Sequence, residues 1–172
     1  MALSALRTLA GLALVILGTD ACPQEQSPLT PPAAASARFP WTRGDAPPSI
    51  AGLHLGDTRA AVESTLGPAL ELRPAGSGLM IEYSQRGLAI LLNATGDVSM
   101  IYLLTRAAGS IDGLRVGDSR DDIRTRWGEP PLVQGAQAMY PAGDWAVVIE
   151  LGPEQRVATL SLGRAYGNTD LQ

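Results

Sequence analysis

The chain has 172 residues and a formal net charge of −4, and all 13 of its basic residues are Arg. The absence of Lys excludes a P-loop lysine, a Schiff-base lysine and a lysine general base, and one His with one Cys cannot build a zinc site of the His/Cys type. A sequence pI near 4.9 argues against nucleic acid, which calls for a basic stripe, while 45% hydrophobic against 17% charged residues suits a globular chain.

Residues 1–21 read as a secretory signal peptide. Arg7 is the only charge before Asp20, the run from Leu9 to Leu17 is apolar, and Ala21 precedes the cut. That run is too short for a stable membrane span. Cys22, the only cysteine, stands where a bacterial lipoprotein signal places its lipidated residue. Thr19 and Asp20 depart from that pattern, and the alternative is a soluble export signal that leaves Cys22 as a free thiol. A single Cys permits no internal disulfide. Residues 22–48 form a Pro/Ala-rich tether. At ~3.1 Å per residue a polyproline-like conformation would reach on the order of 80 Å, and a flexible coil about 30 Å. Phe39-Pro40-Trp41 interrupts its polar composition, either to pack on the domain edge or to dock a partner.

The remainder reads as two matching units, 49–106 and 107–164, with a tail at 165–172. Ile50 to Gly67 (IAGLHLGDTRAAVESTLG) aligns with Ile111 to Gly128 (IDGLRVGDSRDDIRTRWG), and such self-similarity marks a repeated structural unit. In each, a Gly-Asp-Thr/Ser turn offers an N-cap, a helix follows over 59–66 or 120–127, and Gly67 or Gly128 ends it before a proline. Strands follow over 79–84, 88–93 and 98–105 in the first unit, and over 136–140, 145–151 and 157–162 in the second, with short extra strands near Leu70 and Leu132. The expected fold class is α+β: a tandem repeat of a short helix plus an antiparallel β-meander, forming one sheet with helices on one face.

The pattern Gly-Leu-x-Leu-Gly-Asp-Thr-Arg-x-x-Val-x-x-x-Leu-Gly-Pro, at residues 52–68, resembles the BamE-like (SmpA/OmlA) domain of envelope lipoproteins. Its doubling is similar to the arrangement in β-lactamase inhibitory protein. The likeness covers about residues 50–164 and implies a protein-binding domain. It departs in having one helix per unit where those proteins commonly have two, and in lacking the inhibitor's disulfides.

Chemistry-bearing residues are few. His54 lies near Asp57, but its counterpart in the second unit is Arg115, where a solvated polar side chain suffices. Asp112, Asp118, Asp121 and Asp122 do not have the alternate spacing of a calcium loop. Capping accounts for Asp118, and a favourable helix start for Asp121 and Asp122. Trp127 replaces Leu66 at a core-facing helix end. No catalytic residue, cofactor or metal ligand is expected.

Strand parity says more. Leu88, Ile90, Leu92, Ile101, Leu103, Tyr83, Tyr140, Trp145, Val147, Ile149, Leu160 and Leu162 are expected to face the helices. Met80, Leu91, Met100, Tyr102, Leu104, Met139 and Val148 then gather on the other face, which would otherwise meet water. Such patches mark partner sites, and Met suits adaptable ones. The alternative is that a loop, the Phe39–Trp41 segment or a second copy covers this face. The sequence therefore points to an exported, periplasmic protein anchored at the outer membrane through a lipid on Cys22. It would be a non-enzymatic protein-binding module acting in envelope assembly or scaffolding, with a resident envelope complex as partner. The alternative is an inhibitor or immunity protein that blocks a secreted enzyme.

Overall fold

The computed structural model describes residues 38–69 and 71–165. The signal segment, Cys22, the tether as far as residue 37 and the tail beyond 165 lie outside the described residues.

Two helices form where the capping signals stand. α1 spans Arg59–Leu66. Thr58 precedes it in extended conformation and its Oγ1 accepts the Ala61 N–H at 3.3 Å. Gly67, at φ 91°, ends it and donates its N–H to the Glu63 carbonyl. α2 spans Arg120–Trp127 and opens on a complete capping box. Ser119 Oγ accepts the Asp122 N–H at 3.1 Å, and Asp122 Oδ2 accepts the Ser119 N–H at 2.8 Å. Each helix has eight residues and buries two: Val62 and Leu66 in α1, Ile123 and Trp127 in α2. Helices this short do not persist alone in water, so packing against the sheet holds them.

The sheet dominates the molecule. Its strands are β1 (Glu71–Ala75), β2 (Gly78–Tyr83), β3 (Leu88–Leu92), β4 (Val98–Leu103), β5 (Leu132–Gln134), β6 (Gln137–Pro141), β7 (Trp145–Leu151) and β8 (Val157–Arg164). The spatial order is β1-β2-β3-β4-β8-β7-β6-β5, antiparallel throughout. Two-residue turns at Gly76-Ser77 and Gly135-Ala136 carry positive φ at the glycine, as tight hairpins require.

This corrects the expected fold class. The architecture is a single eight-stranded antiparallel sheet with two short helices appended, not a tandem repeat of helix-plus-meander units. The physical reason lies at the sheet centre. β4 and β8 pair directly, with Ile101 opposite Leu162 and Leu103 opposite Leu160, and these four are fully buried. One hydrophobic cluster therefore runs through the whole sheet, from Ile81 and Leu92 to Val147 and Ile149. β1 and β5 extend the sheet further at its two ends.

Phe39 and Trp41 pack against that cluster, half-buried. Phe39 stacks on Tyr140 at 5.0 Å and meets Trp127 edge-on at 5.3 Å, while Trp41 meets Trp145 at 5.6 Å. Trp145 Nε1 donates to the Asp45 carbonyl at 2.8 Å. The end of the tether is thus strapped to the helix-covered side of the sheet by stacked and edge-to-face aromatic contacts, each contributing roughly 0.5–1.5 kcal/mol beyond area burial.

Candidate functional site

Antiparallel register decides which outward side chains become neighbours. One row across the outer face runs Met80–Leu91–Met100–Gly163–Ala146–Pro141. The adjacent row runs Ala89–Tyr102–Ser161–Val148–Met139–Leu132. Six of the seven residues expected on this face (Met80, Leu91, Met100, Tyr102, Met139 and Val148) are brought together here, all half-buried. Leu104 lies one residue beyond β4, 41% exposed, with its N–H donated to the Gly87 carbonyl at 2.8 Å. It stands at the rim.

Leu132 was not among the residues expected on this face. It is 53% exposed and extends the second row beyond Met139. Its signal in the sequence is weak, because a three-residue edge strand shows no alternation. Small residues make the floor of this face. Ala89, Ala146 and Ser161 are buried because their side chains are small, and Gly163 has none. A Cβ at Gly163 would sit 2.6 Å from Met100 Cε and 3.1 Å from its Cγ, so Met100 lies across the glycine. Ser161 Oγ donates to the Val148 carbonyl at 3.3 Å, which leaves the floor without an unsatisfied hydroxyl.

These small residues make grooves out of a flat sheet. One, of ≈ 380 Å³, lies between Met100 and the ridge of Met139, Leu132 and Pro141 above Ala146 and Gly163. A second, of ≈ 250 Å³, lies beside Met100, Tyr102, Met139 and Val148, with Glu150, Gln137 and Thr159 as its polar margin. On the helix side, a pocket between α2 and β6 holds ≈ 70 Å³, and an open cleft beside Phe39, Trp41, Trp127 and Tyr140 holds ≈ 330 Å³.

The two ends of the sheet differ. At the β1 edge Arg73 bridges Glu71 at 3.0 Å and Glu82 at 3.3 Å, and Pro74 removes a backbone donor. Charge and proline together protect an edge strand. β5 carries no charge and no proline, and Leu132 and Val133 are exposed. The apolar face is closed at β1 and open at β5.

The chemistry-bearing residues are occupied with structure. His54 Nδ1 is 3.8 Å from Asp57 Oδ2, which already accepts the His54 backbone N–H at 2.7 Å. Asp118 repeats this brace on the Arg115 N–H at 2.9 Å and also pairs with Arg106 at 2.7 Å. Asp112 accepts Trp127 Nε1–H at 2.9 Å. Hydrogen bonds from the Ser119 side chain and backbone hold the Asp122 carboxyl below its ordinary range. The backbone N–H of Thr42, then its hydroxyl, does the same for Asp45. Burial, reinforced by Glu129, pushes the Tyr140 hydroxyl up to about 12, and that hydroxyl donates to the Gly128 carbonyl at 2.8 Å. Burial and the nearby Glu63 raise Tyr83 likewise. Among the described residues, no three His, Cys, Asp or Glu side chains group closely enough to hold a metal ion. No helix among them is long and apolar enough to cross a membrane.

No family model matches this chain, and no curated protein matches it. Solved structures that share its fold include three secreted or uncharacterised-family proteins. An extracellular protein containing an SCP domain from Bacillus anthracis aligns with a TM-score of 0.55 at 10% identity, over 64% of this chain and 44% of that one. A cysteine-rich secretory protein from Staphylococcus aureus aligns at 0.57 and 12% identity, over 74% and 50%. A DUF4309 family protein from Bacillus subtilis aligns at 0.50 and 13% identity, over 63% and 78%. The chain thus spans about half the length of the first two. At these identities the likeness is one of fold, and function must be argued from the site.

Proposed function

We propose that this chain is an exported protein-binding module with no chemistry of its own, and that the outer face of its sheet is the docking surface. The observation that carries the reading is the contiguous apolar pair of rows from Met80 and Leu91 to Met139 and Leu132, lying opposite a face that already supplies the core. A sheet needs only one buried face to be stable, so a second apolar face calls for an occupant. Methionines at three of its positions supply flexible, polarizable contacts that adapt to a partner's shape. Export is supported by the signal-like segment 1–21 and by fold neighbours described as extracellular and secretory. The role is that of an envelope-assembly or scaffolding accessory, carried on a lipid at Cys22.

A photoreactive residue placed at Val148 should give one discrete protein adduct in cell-envelope preparations. The same residue at Ser64, on the exposed side of α1, should give none, and Tyr102→Ala should abolish the Val148 adduct. A Val148 probe that yields no adduct, or the same adducts as Ser64, overturns the docking surface. Cys22→Ser should move the protein from the membrane to the soluble fraction. A wild-type protein that is already soluble refutes the anchor.

A further inference from the structure

We propose that the open edge of β5 takes its partner by strand addition. An extended segment pairs antiparallel with Val133, sets one apolar side chain at the pocket between α2 and β6, and brings a carboxylate to Arg120. The proposal rests on the reading of this chain as a protein-binding module and names the form its partner takes.

Backbone direction carries the first part. In an antiparallel ladder, successive residues turn their N–H and C=O groups alternately to one neighbouring strand and to the other. The Ala136 carbonyl accepts the Leu151 N–H at 2.8 Å, which assigns Ala136 and Ala138 to β7 and leaves Gln137 and Met139 to β5. Their partners there are Gln134 and Leu132. Val133, between those two, therefore directs its N–H and C=O away from β6, and among the described residues no strand lies on that side. Pro131 has no N–H, so an incoming strand is centred on Val133. An exposed donor and acceptor in this arrangement match an extended backbone. At the opposite end of the sheet Arg73 and Pro74 blunt β1, so the two edges are not treated alike.

Side chains carry the second part. Val133 lies opposite Ala138, on the helix side of the sheet, and is 61% exposed. With Ile123, Pro130, Ala138 and Leu151 it lines the ≈ 70 Å³ pocket. The residue of an added strand that faces Val133 points to the same side of the sheet, so its side chain meets this pocket. The residues before and after it point to the other side, beside Leu132. Two arginines of α2 border the pocket. Arg124 is paired with Glu129 at 2.7 Å, whereas Arg120 donates to the neutral Gln155 at 3.3 Å and, among the described residues, to no carboxylate. A carboxylate two positions along the added strand shares the face of the pocket and complements that charge. A second copy pairing through β5 does not supply it, because Leu132, Val133 and Gln134 include no acid. The occupant that fits is an extended segment of a different protein, apolar at its centre and acidic two residues away.

The test uses the full chain and a short synthetic peptide whose central residues are glutamate, leucine, valine, leucine and glutamate. Amide hydrogen exchange is followed by NMR with and without this peptide. The Val133 N–H should exchange as an unprotected amide in the free protein, and saturating peptide should slow it at least about tenfold, with Gln134, already bonded to β6, unchanged. The same peptide N-methylated at its valine should give no protection. Val133→Pro deletes a donor that β5–β6 pairing does not use, so it should abolish binding of the labelled peptide, read by fluorescence anisotropy, and keep the wild-type melting temperature. Arg120→Gln should weaken the glutamate peptide about threefold and leave its glutamine version unchanged. Absence of protection at Val133, or equal binding of the N-methylated peptide, overturns the proposal. So does a Val133 amide already protected in the free protein: the chain covers its own edge if that protection is independent of concentration, and a second copy covers it if protection grows with concentration. If the photoreactive Val148 probe fails while the peptide protects Val133, the edge is a docking element and the flat outer face is not. If the peptide fails while the Val148 adduct forms, the face docks without strand addition and this proposal falls. If both hold, Val133→Pro should lower the yield of the Val148 adduct.

Discussion

Truncating Leu103 to Ala tests the facing of the whole sheet. Leu103 is fully buried in β4, directly between Leu88 of β3 and Leu160 of β8. Removing its outer carbons forfeits about 2.4 kcal/mol at ~0.8 kcal/mol per methylene. The flanking strands hydrogen-bond on both sides and cannot close the gap, so a cavity term brings the total to about 3–4 kcal/mol, within the range of buried leucine truncations. Tyr102, the preceding residue, faces outward and is half-buried, so Tyr102→Ala should cost only about 1 kcal/mol. Urea unfolding followed by tryptophan fluorescence reads both, because Trp127 and Trp145 are buried reporters. With a slope near ~2 kcal/mol/M, Leu103→Ala should lower the midpoint by roughly 1.5–2 M and Tyr102→Ala by about 0.5 M, the slope unchanged. A Leu103→Ala cost below about 1 kcal/mol, or a larger cost at Tyr102, would reverse the assignment of core and outer face.

Alkaline pH should destabilise the fold through Tyr140. Its folded pKa is raised to about 12 from 10.0, so its contribution is intact below pH 10 and is lost as pH rises through 12, on the order of 2–3 kcal/mol. No Lys titrates in that window, and Tyr140→Phe should flatten the stability profile measured by thermal melts at pH 9–12. Gly78→Ala drives a Cβ into the Leu92 carbonyl oxygen, which is backbone and cannot yield. It should cost at least about 2 kcal/mol, whereas Gly163→Ala meets only the flexible Met100 side chain and should cost under about 1 kcal/mol; melting temperatures in the opposite order refute this account of the floor. Ser119→Ala removes the side-chain hydrogen bond, the larger of the two that hold Asp122 low, and keeps the backbone one, so its carboxyl titration, followed by NMR, should move part of the way up toward 3.8. Because the folded pKa is depressed, that stabilisation is present above about pH 4 and lost as pH falls, and the variant should show less of this acid dependence.

Local chemistry was legible in the sequence where the pattern is short-range. Thr58, Ser119, Gly67 and Gly128 delimited the helices because caps act on adjacent backbone. Leu88, Ile90 and Leu92, with Trp145, Val147 and Ile149, alternate because one side of β3 and β7 meets the core. The short extra strands expected near Leu70 and Leu132 had no bounds in the sequence, because they lack a periodic cause. β1 is exposed along nearly its whole length and contains Pro74, and β5 is exposed at all three positions, so neither alternates. The pairing of β4 with β8 joins residues far apart in sequence, and no local pattern marks these two as the strands that meet at the centre of the sheet. For the candidate site, the bulky residues could be counted outward by parity, but the grooves arise from Ala146, Ser161 and Gly163, whose small size gives no hydrophobic signal. Leu104 was counted as if β4 continued past Leu103.

The placement of β8 sets when this molecule can become a molecule at all. It is the last of the described strands to be made, yet it occupies the interior of the sheet between β4 and β7. Until residues 157–164 arrive, β4 and β7 each present a bare row of backbone donors and acceptors beside fully apolar residues, the combination that recruits other chains. A polypeptide threaded through an export channel from its N-terminus would therefore accumulate two half-finished hairpin sets with sticky inner margins, and only the final strand would zip them together. Folding dominated by such distant pairings is slow. The vulnerable interval is the time between the emergence of residue 103 and that of residue 164, when a chaperone that shields β4 would find its substrate.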